Sequence, residues 1–99
     1  MNKYWKRIKY PPPKVIFVDV DGTLYDSVLN HALIKWCRDR KAEGFKLVLW
    51  SARGEDYAKR CAKRFDIVDL FDHIIDKPGY IVDDLGWSWI KYTKVVKRF

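Results

Sequence analysis

The sequence predicts an α/β fold: a three-layer sandwich around a central, mostly parallel sheet. Three observations predict it. Residues 15–23 read V-I-F-V-D-V-D-G-T, an apolar run that stops in two aspartates, a glycine and a threonine. Residues 46–51 read K-L-V-L-W-S, a second apolar run closed by a polar residue. Between and after these runs lie segments whose apolar residues keep helical spacing. Short continuous apolar runs read as strands buried on both faces, as in a parallel sheet. Alternation of strand and helix requires right-handed crossovers.

The elements follow in order. Residues 10–13, Y-P-P-P, are stiff and extended and set off a basic N-terminal arm, residues 1–13, from the first strand at about 14–19. A helix is expected near 28–43, with Asn30 or Ser27 as its cap and Gly44 as its stop. Leu29, Leu33, Trp36 and Cys37 share one face of it and read as core packing. The second strand is expected at about 45–50. The segment 53–56 then opens a helix running to about Arg64, with Tyr57, Cys61 and Phe65 along one side. Acids at its start and bases at its end suit the helix dipole.

Residues 72–83 are less regular. His73-Ile74-Ile75 reads as a short third strand and Tyr80-Ile81-Val82 as a fourth, with four residues between them. A parallel return needs about a dozen. Either the third strand is vestigial or it does not run parallel to the fourth. After Gly86, residues 87–90 read as a short strand or as the start of a helix reaching Phe99.

The carboxyl ends of parallel strands are where open α/β sheets hold their ligands, so Asp19 and Asp21 stand in a functional position. From average residue usage, D-x-D-G-T arises by accident in a chain this long roughly once in a thousand times. These residues resemble motif I of the haloacid dehalogenase-like (HAD) superfamily of phosphotransferases. The apolar strand ending in Ser51 resembles motif II, Lys77 in D-K-P resembles the motif III lysine, and Y-I-V-D-D at 80–84 resembles motif IV. The resemblance covers residues 14 to about 86, in the family's order, and implies a small Rossmann-like domain.

The resemblance also implies a chemistry. Asp19 would be the nucleophile and form an aspartyl-phosphate. Asp21 would protonate the leaving oxygen and then take a proton from the hydrolytic water. An acid at that second position sets the family's phosphatases apart from its dehalogenases and ion pumps. Mg²⁺ would be held by Asp19, the backbone carbonyl of Asp21, and Asp83, with Asp84 as a second ligand or as a hydrogen-bond acceptor behind it. Ser51 would bond the phosphoryl oxygens, and Lys77 would face both nucleophile and phosphate. Ala52 and Arg53 follow Ser51 and lie close enough to touch a substrate, although Arg53 also reads simply as an exposed helix-start residue. Asp26 and Asp76 read as turn formers or helix caps.

Composition narrows the class. A 48% hydrophobic and 16% aromatic content predicts a packed core rather than disorder, with five tryptophans expected to fill it. At 99 residues the chain makes one domain. It carries no run of the ~20 apolar residues needed for a membrane span and no signal-peptide pattern at its N-terminus. Cys37 and Cys61 are 24 residues apart and read as reduced packing residues of a cytoplasmic protein. His31 and His73 have no partner at metal-ligand spacing.

The net charge of +7 is unevenly placed. Residues 1–14 carry five bases and no acid, residues 86–99 four bases and no acid, and residues 15–85 carry 11 bases against 13 acids. Basic ends around an acidic centre either steer a polyanion toward the site or serve solubility. Spacing bears on the substrate as well. Thirty residues separate Asp21 from Ser51 and 26 separate Ser51 from Lys77, each interval filled by one helix. No cap domain fits, so the site should be open. The expected activity is a capless, Mg²⁺-dependent phosphohydrolase, with nucleotides or nucleic-acid phosphate ends as attractive substrates. The alternatives are a non-catalytic nucleic-acid or protein interaction module, or phosphotransfer to an acceptor other than water.

Overall fold

The computed structural model describes residues 12–97. The expectations placed on the N-terminal arm and on the last two residues lie outside them. Strand β1 (Val15–Asp19) is followed by a two-residue hairpin, β2 (Tyr25–Asp26) and β3 (Val28–Leu29), turned at Ser27. Helix α1 (His31–Ala42), β4 (Lys46–Ser51), α2 (Glu55–Arg64) and β5 (His73–Asp76) complete the α/β unit. A 3₁₀ turn (Val68–Leu70) leads into β5, and a longer 3₁₀ segment spans Gly86–Tyr92.

The sheet is three-stranded and wholly parallel, in the order β1-β4-β5. Asn30 caps α1: its side-chain oxygen accepts the Leu33 N–H at 3.0 Å. Gly44, at φ +95°, turns the chain out of the helix and back toward β4. The intervals on either side of Ser51 hold a hairpin and one helix, then a second helix, with no cap domain.

A strand order of 1-2-3 with right-handed crossovers places successive helices on the same face of the sheet. Alternation along the strands shows which face. Ile16, Val18, Leu47, Leu49 and Ile74 share one core with Leu33 and Cys37 of α1 and with Ala58, Cys61 and Ala62 of α2. The other face carries Val15, Phe17, Val48, Trp50 and Ile75. Val48 is buried there, but Val15 is 39% and Phe17 47% exposed, and the Phe17 and Trp50 rings meet at 4.5 Å. The expectation that β1 is buried on both faces is therefore corrected: its helix-facing side is covered and its other side is partly open.

The tryptophans do not fill the core, contrary to expectation. The buried set consists of Val, Leu, Ile, Ala, Cys and Phe71. Trp36 and Trp50 are half-buried at its margins, and Trp87 is exposed. A core made between one sheet face and two short helices is one side chain deep on each side, which favours branched aliphatic residues. Cys37 and Cys61 are both buried and unpaired. Burial pushes the Cys37 thiol up to about 11, so it stays protonated and unreactive.

The third strand is formed and the fourth is not. β5 pairs with β4 in parallel register, Val48 opposite His73 and Ser51 opposite Asp76. Residues 80–82 then lie outside the sheet, with Tyr80 96% and Val82 104% exposed. The chain leaves β5 at the carboxyl rim, and a few residues cannot carry it back to the opposite rim for another parallel strand. The 3₁₀ segment that follows makes no more than marginal contact with the sheet and helices. It is neither the strand nor the long helix considered for residues 87–99.

Asp72 fixes the entry to β5. Its backbone N–H donates to the Leu47 carbonyl at 2.8 Å, and its carboxylate accepts the Leu47 N–H at 2.8 Å. That bond, with Lys41 as a lesser influence, holds the Asp72 carboxyl below its usual range. The unfolded chain therefore binds a proton here at pH values where the folded chain does not. Asp72 should support the fold fully above the ordinary carboxylate pKa and lose that contribution as pH falls through its lower folded value. In urea titrations from neutral to acid pH, Asp72→Asn should lose less stability than wild type across that window. Equal slopes would show that the bond is not coupled to folding.

Candidate active site

The three strand ends present their residues on one rim. Asp19 ends β1, opposite Trp50; Ser51 ends β4; Asp76 ends β5, with Lys77 next in the chain. The loop after β1 is tightly built. The Leu24 N–H donates to the Asp19 carbonyl at 3.2 Å, and the Tyr25 N–H to the Val20 carbonyl at 3.0 Å. Val20 and Leu24 are fully buried and anchor the loop from below. Gly22 makes the reversal at φ +79°, a conformation costly for residues with a Cβ.

Two cations face the two aspartates. Lys77 Nζ lies 3.8 Å from Asp19 Oδ1, and Arg53 Nη1 lies 3.6 Å from Asp21 Oδ2. The Thr23 hydroxyl donates to Asp19 Oδ2 at 3.5 Å, and the Tyr57 phenol donates to Asp21 Oδ1 at 2.6 Å. That last bond pushes the Tyr57 phenol up to about 12, so it remains a donor throughout the neutral range. The Arg53 guanidinium stacks on the Tyr57 ring at 3.9 Å, which locks both groups against Asp21.

Ser51 lies at the rim but is held close by its neighbours. It is 2% exposed, and its hydroxyl accepts the Arg53 N–H at 3.0 Å. Its carbonyl accepts from Gly54 N–H at 3.1 Å and from Lys77 N–H at 2.9 Å. Ser51 thus mounts the two cation-bearing segments, its hydroxyl oxygen and its carbonyl both acting as acceptors. Ala52 is exposed in the turn that follows. Gly54 begins α2 at φ +105°, and Asp76 acts as a cap from another strand, accepting the Glu55 N–H at 2.8 Å. The expectation that Asp76 is a cap holds.

Asp83 and Asp84 lie in the irregular stretch between β5 and the 3₁₀ segment. Among the described residues no three of His, Cys, Asp and Glu come together as a metal-holding group, so Asp19, Asp21, Asp83 and Asp84 do not form a cluster of three or more carboxylates. Asp83 Oδ1 instead accepts the Leu85 N–H at 2.8 Å, turning the chain toward the 3₁₀ segment. His31 and His73 are exposed starts of α1 and β5.

Each carboxylate oxygen of Asp19 and Asp21 already faces a donor or a cation, from Lys77, Thr23, Tyr57 and Arg53, so a hard cation would have to share them. Mg²⁺ keeps most of its waters and is commonly held by one or two carboxylates together with substrate phosphate oxygens. Asp19 and Asp21, at the solvent-facing end of β1, supply carboxylates of that kind.

Sequence reasoning passed over Tyr57 as a site residue. It also passed over Tyr25, Arg60 and Arg64, which with Arg53, Tyr57 and Cys61 line a groove of about 310 Å³. The signal was present: positions 57, 60, 61 and 64 follow i, i+3, i+4, i+7 spacing on one helix face. Among the described residues no helix is long and apolar enough to cross a membrane. No family model matches the chain, and no curated protein or solved structure is significantly similar to it.

Proposed function

We propose that the chain is a Mg²⁺-dependent phosphohydrolase of the haloacid dehalogenase-like type, acting on phosphate monoesters through an aspartyl-phosphate in the cytoplasm. The observation that carries this reading is the pairing at the rim. Asp19 has an ammonium within 3.8 Å, and two residues later Asp21 is held by a phenol and a guanidinium. The two unpaired thiols fit a reducing compartment.

In this reading an Asp19 carboxylate oxygen attacks phosphorus and the ester P–O bond breaks. Asp21 gives its proton to the departing oxygen. Water then attacks the phosphorus, Asp21 accepts the water's proton, and the Asp19–phosphorus bond breaks to release inorganic phosphate. Lys77 sets a fixed positive charge beside the nucleophile and the entering phosphoryl group. Tyr57 and Arg53 orient Asp21. Mg²⁺, when bound, offsets the repulsion between carboxylate and phosphate.

The test is phosphate release from a panel of monoesters, with Mg²⁺ and with excess chelator. Turnover is expected only with the metal. One observation favours a second reading, a non-catalytic interaction module: among the described residues no three His, Cys, Asp or Glu side chains gather as a metal-holding group. That reading predicts no turnover of any ester under either condition.

A further inference from the structure

We infer that the groove along α2 is a binding subsite for a single-stranded nucleic acid whose terminal phosphate is directed to Asp19 and Asp21. The inference rests on the phosphohydrolase reading for where the strand ends, and on the groove's own chemistry for what lies in it.

The lining holds three guanidiniums, Arg53, Arg60 and Arg64, two tyrosine rings and a buried cysteine, with no carboxylate. Arg53 reaches Asp21, but neither Arg60 nor Arg64 has an ion-pair partner among the described residues. Arg64 lies over the Tyr25 ring at 5.4 Å and over the Phe65 ring at 5.0 Å, and those two rings meet at 5.3 Å. Each tyrosine ring of the open cleft thus carries a guanidinium, Arg53 on Tyr57 and Arg64 on Tyr25, and the cleft keeps surplus positive charge. Aromatic faces with arginines are what sequence-tolerant single-strand binding uses: bases stack and phosphates pair.

The groove also has the right direction. Tyr57 and Arg53 both touch Asp21, so one end opens onto the acidic pair. Along α2, Arg60 lies about 4.5 Å and Arg64 about 10 Å beyond Tyr57, so the two unpaired guanidiniums extend the positive charge stepwise away from the groups that hold Asp21. A ligand that uses them must repeat its negative charge along its length. A polynucleotide does so, whereas a singly phosphorylated peptide or a small ester does not.

The experiment measures binding without turnover. Full-length Asp19→Asn protein, in chelator, is titrated against a fluorescently labelled, 5′-phosphorylated single-stranded oligonucleotide by anisotropy, at several salt concentrations. The same background carrying Arg60→Ala and Arg64→Ala is compared, with circular dichroism confirming that both proteins fold. The double substitution is expected to weaken Kd by about tenfold or more. It should also make the log Kd against log salt slope shallower by one to two, since each phosphate contact on a single strand contributes about 0.7. Tyr25→Ala should weaken binding without changing that slope. An unchanged Kd and slope in the double variant overturns the subsite, as does tighter binding of a phosphopeptide than of the oligonucleotide. Because nothing is hydrolysed here, loss of binding in the groove variants supports the subsite even if the ester panel shows no turnover.

Discussion

Replacing Asp19 by asparagine is expected to lower turnover of every phosphate monoester by at least about a thousandfold, or roughly 4 kcal/mol of transition-state stabilisation. The amide has the carboxylate's shape but no anionic oxygen with which to attack phosphorus. The Lys77 ammonium, 3.8 Å from Oδ1, would then face a neutral group. Asp19 is only partly buried, so the fold should survive, and circular dichroism with a melting curve checks that it does. Asp21→Asn should behave differently. A general acid contributes in proportion to the basicity of the leaving oxygen, typically 10²–10⁴-fold, so the loss should be greater for an alkyl phosphate than for an aryl phosphate. Full activity in Asp19→Asn would remove it as the nucleophile. Equal losses on both ester types would remove the proton-donor role from Asp21.

The second large effect is on stability. Leu49 sits at the centre of β4, the middle strand, fully buried in the core shared with both helices. Leu49→Ala is expected to cost about 2–5 kcal/mol, because the side chain's transfer energy is lost and the packed neighbours collapse only partly onto the hole. A chain of this size has about 5–15 kcal/mol in total. Urea denaturation should show the loss as a lower midpoint with an unchanged slope. Leu85→Ala, in the peripheral segment after Asp83, should cost far less. Similar costs at the two positions would mean that the core extends through residues 80–92 as well.

The strands and helices that place the rim were legible in the residues. Continuous apolar runs ending in Asp19 and Ser51 marked two parallel strands, and Asn30 with Gly44 marked a helix at both ends. What failed did so for a reason of distance. Y-I-V-D-D has the composition of a buried strand, but composition says nothing about whether the preceding chain is long enough to deliver it. The count of intervening residues carried that information, and it outweighed the pattern. Ser51 was legible as the rim residue of β4, but its bond to the next turn was not: a polar residue closing an apolar strand suits several partners, and the path of residues 52–54 decides. The helix-face stripe from Tyr57 to Arg64 was visible as spacing, yet its contact with Asp21 depends on how α2 leans over the first loop.

Both cations at the rim are tethered through a single amino acid. The amide of Arg53 ends on the Ser51 hydroxyl, and the amide of Lys77 ends on the Ser51 carbonyl. The guanidinium beside one aspartate and the ammonium beside the other thus share a common foundation and cannot drift independently at their backbone roots. Damage at that one point would loosen the positive charge around both acids together, so it would register as a concerted failure of the whole rim.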